Sequence, residues 1–164
     1  MEKKIPCLDL KGQHQQIKKE VLEAFEKVYE NTAVSGGPFV ETFEKSFAQF
    51  CGTKYAVGVD NGTSALQLAM LALGIGAGDE VIIPANTFIA TAWGVSYTGA
   101  TPVFVDNDPD TWEIDPAKIE AAITPKTKAV IGVHLYGQPF DIDAVQAICT
   151  KHDLYLIEDA AQAQ

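Results

Sequence analysis

Two stretches of the chain place side chains where they could hold and polarise a small ligand. In "DNGTSA" (residues 60–65) a glycine and two hydroxyls fall where an apolar helical pattern begins; "IEDAAQAQ" (157–164) brings Glu158 and Asp159 out of an apolar run, with Gln162 three residues beyond. Thr63 and Ser64, beside the unpaired N–H groups of a helix's first turn, form a phosphate site, and Gly62 lets a ligand approach the backbone closely. Asp159, at the end of a buried strand, is a partly desolvated carboxylate that wants a cationic partner, for which a protonated heterocyclic nitrogen would serve. Gln162 can present an amide to the same ligand. Each feature also has a plainer reading: N-capping by Thr63 or Ser64, an aspartate capping the next helix, and a solvated glutamine. The loop is neither GxxxxGK[ST] nor GxGxxG, which argues against an ATPase or a simple nicotinamide reader.

Other side chains carry weaker signals. Phe88 and Trp93 are aromatic candidates for stacking on a ring, Phe88 being nearer a strand end, although an aromatic in such a loop more often belongs to the core. His134 falls late in its strand and could act as a base or a ligand contact, or be a satisfied core histidine. Gly36 and Gly37 shape a turn. Glu158, by strand alternation, should point away from whatever Asp159 faces.

These residues need strands that end at one edge. Short apolar segments recur, each followed by a helical stretch: "YAVGVD", "EVIIP", "PVFVD", "AVIGVHLY" and "LYLIED". Strands that alternate with helices and are apolar throughout predict a parallel sheet covered on both faces, an α/β fold of three α/β/α layers. Ligands of such sheets bind beyond the carboxyl ends of the strands. There the sequence delivers "DNGTSA", "PANTF", "DNDPDT", "HLYGQP" and "EDAAQAQ", whereas Lys54, Lys128 and Lys151 precede their strands and fall at the opposite edge. Ahead of this alternation, residues 13–29 show apolar positions at helical spacing, and "VETFEKSFAQFC" predicts a second helix with Phe43, Phe47 and Phe50 on one face and Gly52 as its stop. The domain reading is an N-terminal helical segment, 1–52, followed by the α/β part, 53–164.

Composition narrows the partners. The 164 residues carry 12 basic and 22 acidic side chains, a formal charge of −10, which is the wrong sign for nucleic acid or an anionic membrane. Every basic residue is a lysine, so no guanidinium can clamp a phosphate, and an anion must be held by backbone, hydroxyls or lysine. Cys7, Cys51 and Cys149 are dispersed and odd in number, forming neither a disulfide framework nor a metal site; a reducing cytoplasm fits. No apolar run has the length of a signal core or a membrane span, so a soluble protein that is not exported is expected.

Taken jointly, "IPCLDL", "GPFVETFE", "FCGTKYAVGVDNGTSALQLAMLALGIGAGDEVIIPANTFIATA", "GATPVFVD", "HLYGQP" and "IEDAAQAQ" resemble the DegT/DnrJ/EryC1/StrS aminotransferases over almost the whole chain. These are pyridoxal 5'-phosphate (PLP) enzymes of the aspartate-aminotransferase fold, most of which aminate nucleotide-linked keto-sugars. The resemblance implies that Thr63 and Ser64, with Gly62 shaping the turn, bind the PLP phosphate. It also implies that Phe88 stacks on the ring, Asp159 pairs with the pyridinium nitrogen, and Gln162 bonds the 3-oxygen side. A protonated ring nitrogen makes the cofactor an electron sink. Glutamate or glutamine is the implied amino donor, and a homodimer with a shared site the implied assembly. Family members commonly carry histidine after "AQA", where this chain has Gln164. The Schiff-base lysine is expected beyond Gln164, so the chain reads as the N-terminal part of the large PLP domain. PLP-dependent sugar dehydratases of the same family, in which histidine replaces that lysine, and a non-catalytic assembly or regulatory module are the alternatives.

Overall fold

A computed structural model of the chain describes residues 9–163; the expectations that fall on Cys7, on the first residues of "IPCLDL" and on Gln164 lie outside them. The chain divides into two compact units, Met1–Gly58 and Val59–Gln164.

The first unit holds two helices. Helix α1, Leu10–Glu30, starts where Asp9 accepts the Gly12 N–H at 3.0 Å. It buries none of its own residues and leaves Val21, Leu22, Phe25 and Tyr29 each more than half exposed. Helix α2, Pro38–Phe50, opens on the turn expected at Gly36 and Gly37, whose φ values of 67° and 83° are open to glycine at little cost, with Pro38 in the first turn. Gly52, at φ 66°, closes it, and the Thr53 N–H returns to the Ala48 carbonyl at 2.9 Å. The segment 55–60, expected as the first strand, has no regular structure. An extended run becomes a strand only where a neighbouring backbone pairs with it. Here the Gly58 N–H is taken by the Glu44 side chain at 2.7 Å, and Tyr55 and Val57 are 74% and 78% exposed rather than enclosed.

The second unit is the predicted three-layer α/β arrangement. After helix α3 (Gly62–Ala72) come β1 (Glu80–Pro84), α4 (Ala90–Ser96), β2 (Thr101–Val105), α5 (Pro116–Ala122) and β3 (Thr127–Val133). A short 3-10 turn (Leu135–Gly137), α6 (Ile142–His152) and β4 (Tyr155–Asp159) complete it. All pairings are parallel, in the order β2-β1-β3-β4. The central strands β1 and β3 are almost wholly buried, as continuous apolar runs require, while β2 and β4 form the edges.

This order fixes the layers. The chain runs from β1 outward to β2, then returns past β1 to β3 and on to β4, and a right-handed crossover must change sheet face when the direction reverses. One face accordingly packs Val81, Ile83, Ala129, Ile131 and Val133 with Leu66 and Met70 of α3 and Val95 of α4. The other packs Ile82 and Val130 with Ile119 of α5 and Val145 and Cys149 of α6. Each fully buried isoleucine or valine on these faces contributes about 1.5–3 kcal/mol relative to exposure. The reversal occurs between β1 and β3, so the crevice beyond their carboxyl ends is where this topology opens a ligand site.

Helices α3 and α4 approach closely through Gly94: a Cβ added there would lie 2.6 Å from the Leu66 Cβ and 3.4 Å from the Gln67 backbone nitrogen. Gly94→Ala would gain about 1 kcal/mol in helix propensity, but neither obstacle is the end of a flexible side chain, and overpacking costs about 1–3 kcal/mol. With the backbone itself in the way the clash should win, giving a net loss of up to about 2 kcal/mol and a lower melting temperature. An unchanged or higher melting temperature would show that the two helices part freely.

Candidate functional site

A cleft of about 220 Å³ opens beyond the carboxyl ends of β1, β3 and β4, lined by Gly62, Thr63, Leu66, Thr87, Phe88, Ala90, Val133, His134, Leu135, Asp159, Ala161 and Gln162. Five of the six residues singled out for cofactor binding, Gly62, Thr63, Phe88, Asp159 and Gln162, therefore meet in one cavity at the topological switch point. The volume is small beside the roughly 300–1,000 Å³ of pockets for drug-sized ligands. It suits one ring and its substituents, not a nucleotide-sugar.

The phosphate-type end is built differently from the sequence expectation. Helix α3 begins at Gly62, and its cap is Asn61, whose side chain accepts the Ser64 N–H at 2.9 Å; neither Thr63 nor Ser64 is the cap. An asparagine reaches back to the third residue of a first turn as well as serine does, so the "structural" use of the two hydroxyls falls away. Among the described residues neither hydroxyl makes a hydrogen bond, and Thr63 lines the cleft while Ser64 does not. Asparagine is a favoured capping residue type, so this cap has a signal in the sequence.

At the other end Asp159 closes β4, half-buried as expected. Its carbonyl accepts the His134 N–H at 3.0 Å, and its Oδ1 accepts the Ala161 N–H at 3.2 Å. No helix follows within the described residues; 160–163 form a turn closed by Ala163 N–H to the Ala160 carbonyl at 3.0 Å. Among those residues Asp159 has no cationic partner and no lysine lines the cleft. Lys128 lies at the start of β3, at the opposite edge, and Lys151, in the last turn of α6, is bound to Glu120 at 2.7 Å.

Gln162 is held, not merely solvated. Its side-chain oxygen accepts the Tyr136 N–H at 2.6 Å, which leaves its NH₂ as a free donor. Tyr136 itself has φ 55°, a left-handed conformation that costs a non-glycine residue about 1–3 kcal/mol, followed by Gly137 at 84°. That turn aims the N–H at Gln162, and nothing in the sequence signals the contact.

Phe88 stands 66% exposed at the rim, on the loop from β1 into α4; its ring is available to a ligand and is not part of the core. Trp93 sits on α4 outside the cleft. His134 lies one residue beyond β3, contributes to the wall, and stacks its buried imidazole on Phe140. Glu158 meets His134 Nε2 at 3.3 Å and stays out of the cleft, as alternation along β4 requires. Thr87, whose hydroxyl shares a hydrogen bond with that of Thr91 at 3.0 Å, joins the lining without having been foreseen.

The donor set thus has two unlike ends. A helix N-terminus with a free hydroxyl favours an anion, and a half-buried carboxylate favours a cation, with an aromatic face between them in the lining. A phosphate-bearing ring with a protonated nitrogen fits that set. Among the described residues no helix is long and apolar enough to cross a membrane, and no cluster of metal-ligating side chains is present.

Known proteins give the arrangement a family. The model of the DegT/DnrJ/EryC1/StrS aminotransferase family matches residues 15–164. The chain is 57% identical over 129 residues to the GDP-perosamine synthase of Caulobacter vibrioides, covering 79% of this chain and 35% of that protein. It is 48% identical over 160 residues to the dTDP-3-amino-3,4,6-trideoxy-alpha-D-glucose transaminase of Streptomyces venezuelae, covering 98% and 42%. The crystal structure of NtdA from Bacillus subtilis with bound cofactor PMP superposes with a TM-score of 0.86 at 40% identity, over 90% of this chain and 34% of that one. The chain therefore spans less than half the length of the relatives it matches. With the α/β order, the cleft and the family match in agreement, the chain belongs to the DegT/DnrJ/EryC1/StrS aminotransferase family.

Proposed function

We propose that this chain supplies part of the PLP-binding domain, residues 53–164, of an aminotransferase that moves an amino group from glutamate or glutamine to a nucleotide-linked keto-sugar. The observation that carries the reading is the cleft that gathers Thr63, Phe88, Asp159 and Gln162 at the switch point of the sheet. The nucleotide-sugar class is supported by two relatives, whose names specify a GDP-linked and a dTDP-linked amino sugar, and the cofactor by the PMP bound to NtdA.

Each residue has a defined task in this reading. The N–H groups of the first turn of α3 and the Thr63 hydroxyl bind the phosphate, with Ser64 in the same turn supporting it, and Gly62 leaves the backbone open to it. Phe88 covers one face of the ring. Asp159 holds a proton on the ring nitrogen, because the charge-assisted hydrogen bond and the low local dielectric favour the ionic pair over two neutral partners. Gln162, fixed by Tyr136, donates its NH₂ to the 3-oxygen. Bound PLP supplies an electron sink for the carbanion left when the amino donor loses its α-proton. The amine that bonds the cofactor comes from outside residues 9–163, since no lysine among them lines the cleft. We place the complete protein in the cytoplasm as a homodimer; the exposed apolar residues of α1 and α2, among them Phe25, Phe43 and Phe50, are in keeping with an assembly.

In the full-length protein Asp159→Asn should weaken PLP binding about tenfold or more, since hydrogen bonds to charged groups are worth about 1.5–3 kcal/mol. Titration followed by cofactor absorbance measures it; native affinity in the variant would remove Asp159 from the site.

Thr63→Ala should weaken PLP about tenfold while leaving pyridoxal, which has no phosphate, within about twofold. Ser64→Ala, outside the cleft lining, should do less. Equal losses for both ligands in Thr63→Ala would mean that α3 does not face the phosphate.

A further inference from the structure

We infer that His134 is the positioning residue for Asp159, joining the end of β3 to the end of β4 by one backbone and one side-chain hydrogen bond. The inference rests on the reading of Asp159 as the partner of the ring nitrogen.

Three observations converge on His134. Its N–H donates to the Asp159 carbonyl at 3.0 Å, extending the β3–β4 ladder one step beyond Val133, the last residue of β3. Its Nε2 lies 3.3 Å from Glu158 Oε2, so the residue next to Asp159 is held as well. Its side chain is 7% exposed, and the imidazole lies almost parallel to Phe140, with centroids 4.7 Å apart at 12°. Phe140 is itself fixed, because its ring occupies the space above Gly132, where any Cβ would overlap it. Stacking, the Glu158 contact and the backbone bond leave the imidazole essentially one orientation.

The protonation pattern points the same way. Nδ1 is buried and has no partner among the described residues. An orphaned N–H in that position costs more than an unfilled lone pair, so the arrangement favours hydrogen on Nε2, donated to Glu158. Glu113, buried on the loop that leads into α5, is the other acidic group near the imidazole. Burial pushes its carboxyl above the usual range, opposed by the Leu135 N–H.

The consequence for the cleft is directional. Asp159 is the last residue of β4, so the place of its carboxylate depends on what fixes that strand end, and a charge-assisted bond tolerates little displacement. His134 prevents such displacement from the wall of the cavity, where its imidazole pairs with Glu158 and not with any of the groups assigned to the ring.

The test separates positioning from general damage by using two ligands on the full-length protein. One is PLP; the other is its carbocyclic analogue, in which C–H replaces the ring nitrogen, so that no bond to Asp159 forms while phosphate and ring contacts remain. His134→Ala should weaken PLP about tenfold and the analogue less than about twofold, and His134→Gln, whose amide can still donate to Glu158, should recover part of the loss. Glu158→Gln, at a half-exposed position that threatens folding little, should weaken PLP about threefold with the same selectivity. Equal weakening of both ligands by His134→Ala and by Glu158→Gln, or no weakening by either, overturns the inference. Asp159→Asn provides the separate check on the underlying reading: if it fails to discriminate between the two ligands, the assignment of Asp159 is wrong, whereas discrimination by Asp159→Asn but not by the His134 and Glu158 variants refutes the positioning role alone.

Discussion

The register of β4 against β3 decides which acid enters the cleft. Val133 pairs with Asp159 and Gly132 with Glu158, and a slip of one residue would turn every side chain of β4 to the opposite face. Glu158 would then point into the cleft, and Asp159 would face His134 and Phe140. Hydrophobicity alone resists such a slip weakly here, since β4 contributes Ile157 to one apolar cluster and Leu156 to the other. The determinants with a sense of direction are polar or steric. Gly132 leaves room for Phe140, Phe140 stacks on His134, and His134 takes Glu158 on one side and the Asp159 carbonyl along the ladder.

That local constraint operates inside a global one. Because the path reverses between β1 and β3, α3 and α4 cover one face and α5 and α6 the other. The start of α3, the loop after β1 and the end of β4 therefore converge from separate parts of the chain on the same side of one edge. Binding groups reach the cleft from α3 and Asp159, while the groups that hold β4 in place, Glu158, His134 and Phe140, are packed on the α5/α6 face. The deeply buried polar group of this arrangement is the His134 imidazole, whose Nε2 meets the half-exposed Glu158 while Asp159 is only half-buried.

How much of this the sequence disclosed follows from the range of the interactions involved. The strands β1 to β4 were readable because continuous apolar runs bounded by turn residues are local, and the convergence of five of the six candidate residues on one cleft was readable because strand ends and helix starts are local too. The 55–60 segment misled for the converse reason: "YAVGVD" has the composition of a strand, but pairing is a non-local property that composition does not carry. Asn61 as the cap of α3 is legible in type, but the two hydroxyls beside it carry the same local signal, and only the helix start separates them. The Tyr136 contact with Gln162 depends on a left-handed φ at a non-glycine residue, which no pattern announces. His134 was visible as a candidate base; its stacking on Phe140 and its reach to Glu158 depend on side-chain packing across the sheet.

The absence of arginine gives these details their weight. In a chain of net charge −10 whose only cations are lysines, and with no described lysine in the lining of the cleft, the groups there that favour an anion are partial charges. Backbone N–H groups at a helix start are effective only when no side chain competes for them and the approach is open. Asn61 takes the Ser64 N–H and leaves the earlier ones unclaimed, and Gly62 has no heavy atom within 4 Å of where a Cβ would stand, so the approach is unobstructed. Asp159 adds a further negative charge to the same cleft. It repels a free anion, but it attracts an anion that carries its own cation on the same ring. On the proposed function, the pairing of an uncrowded helix start with a held carboxylate would favour a zwitterionic ligand over simple phosphate, provided that the carboxylate stays where β3 holds it.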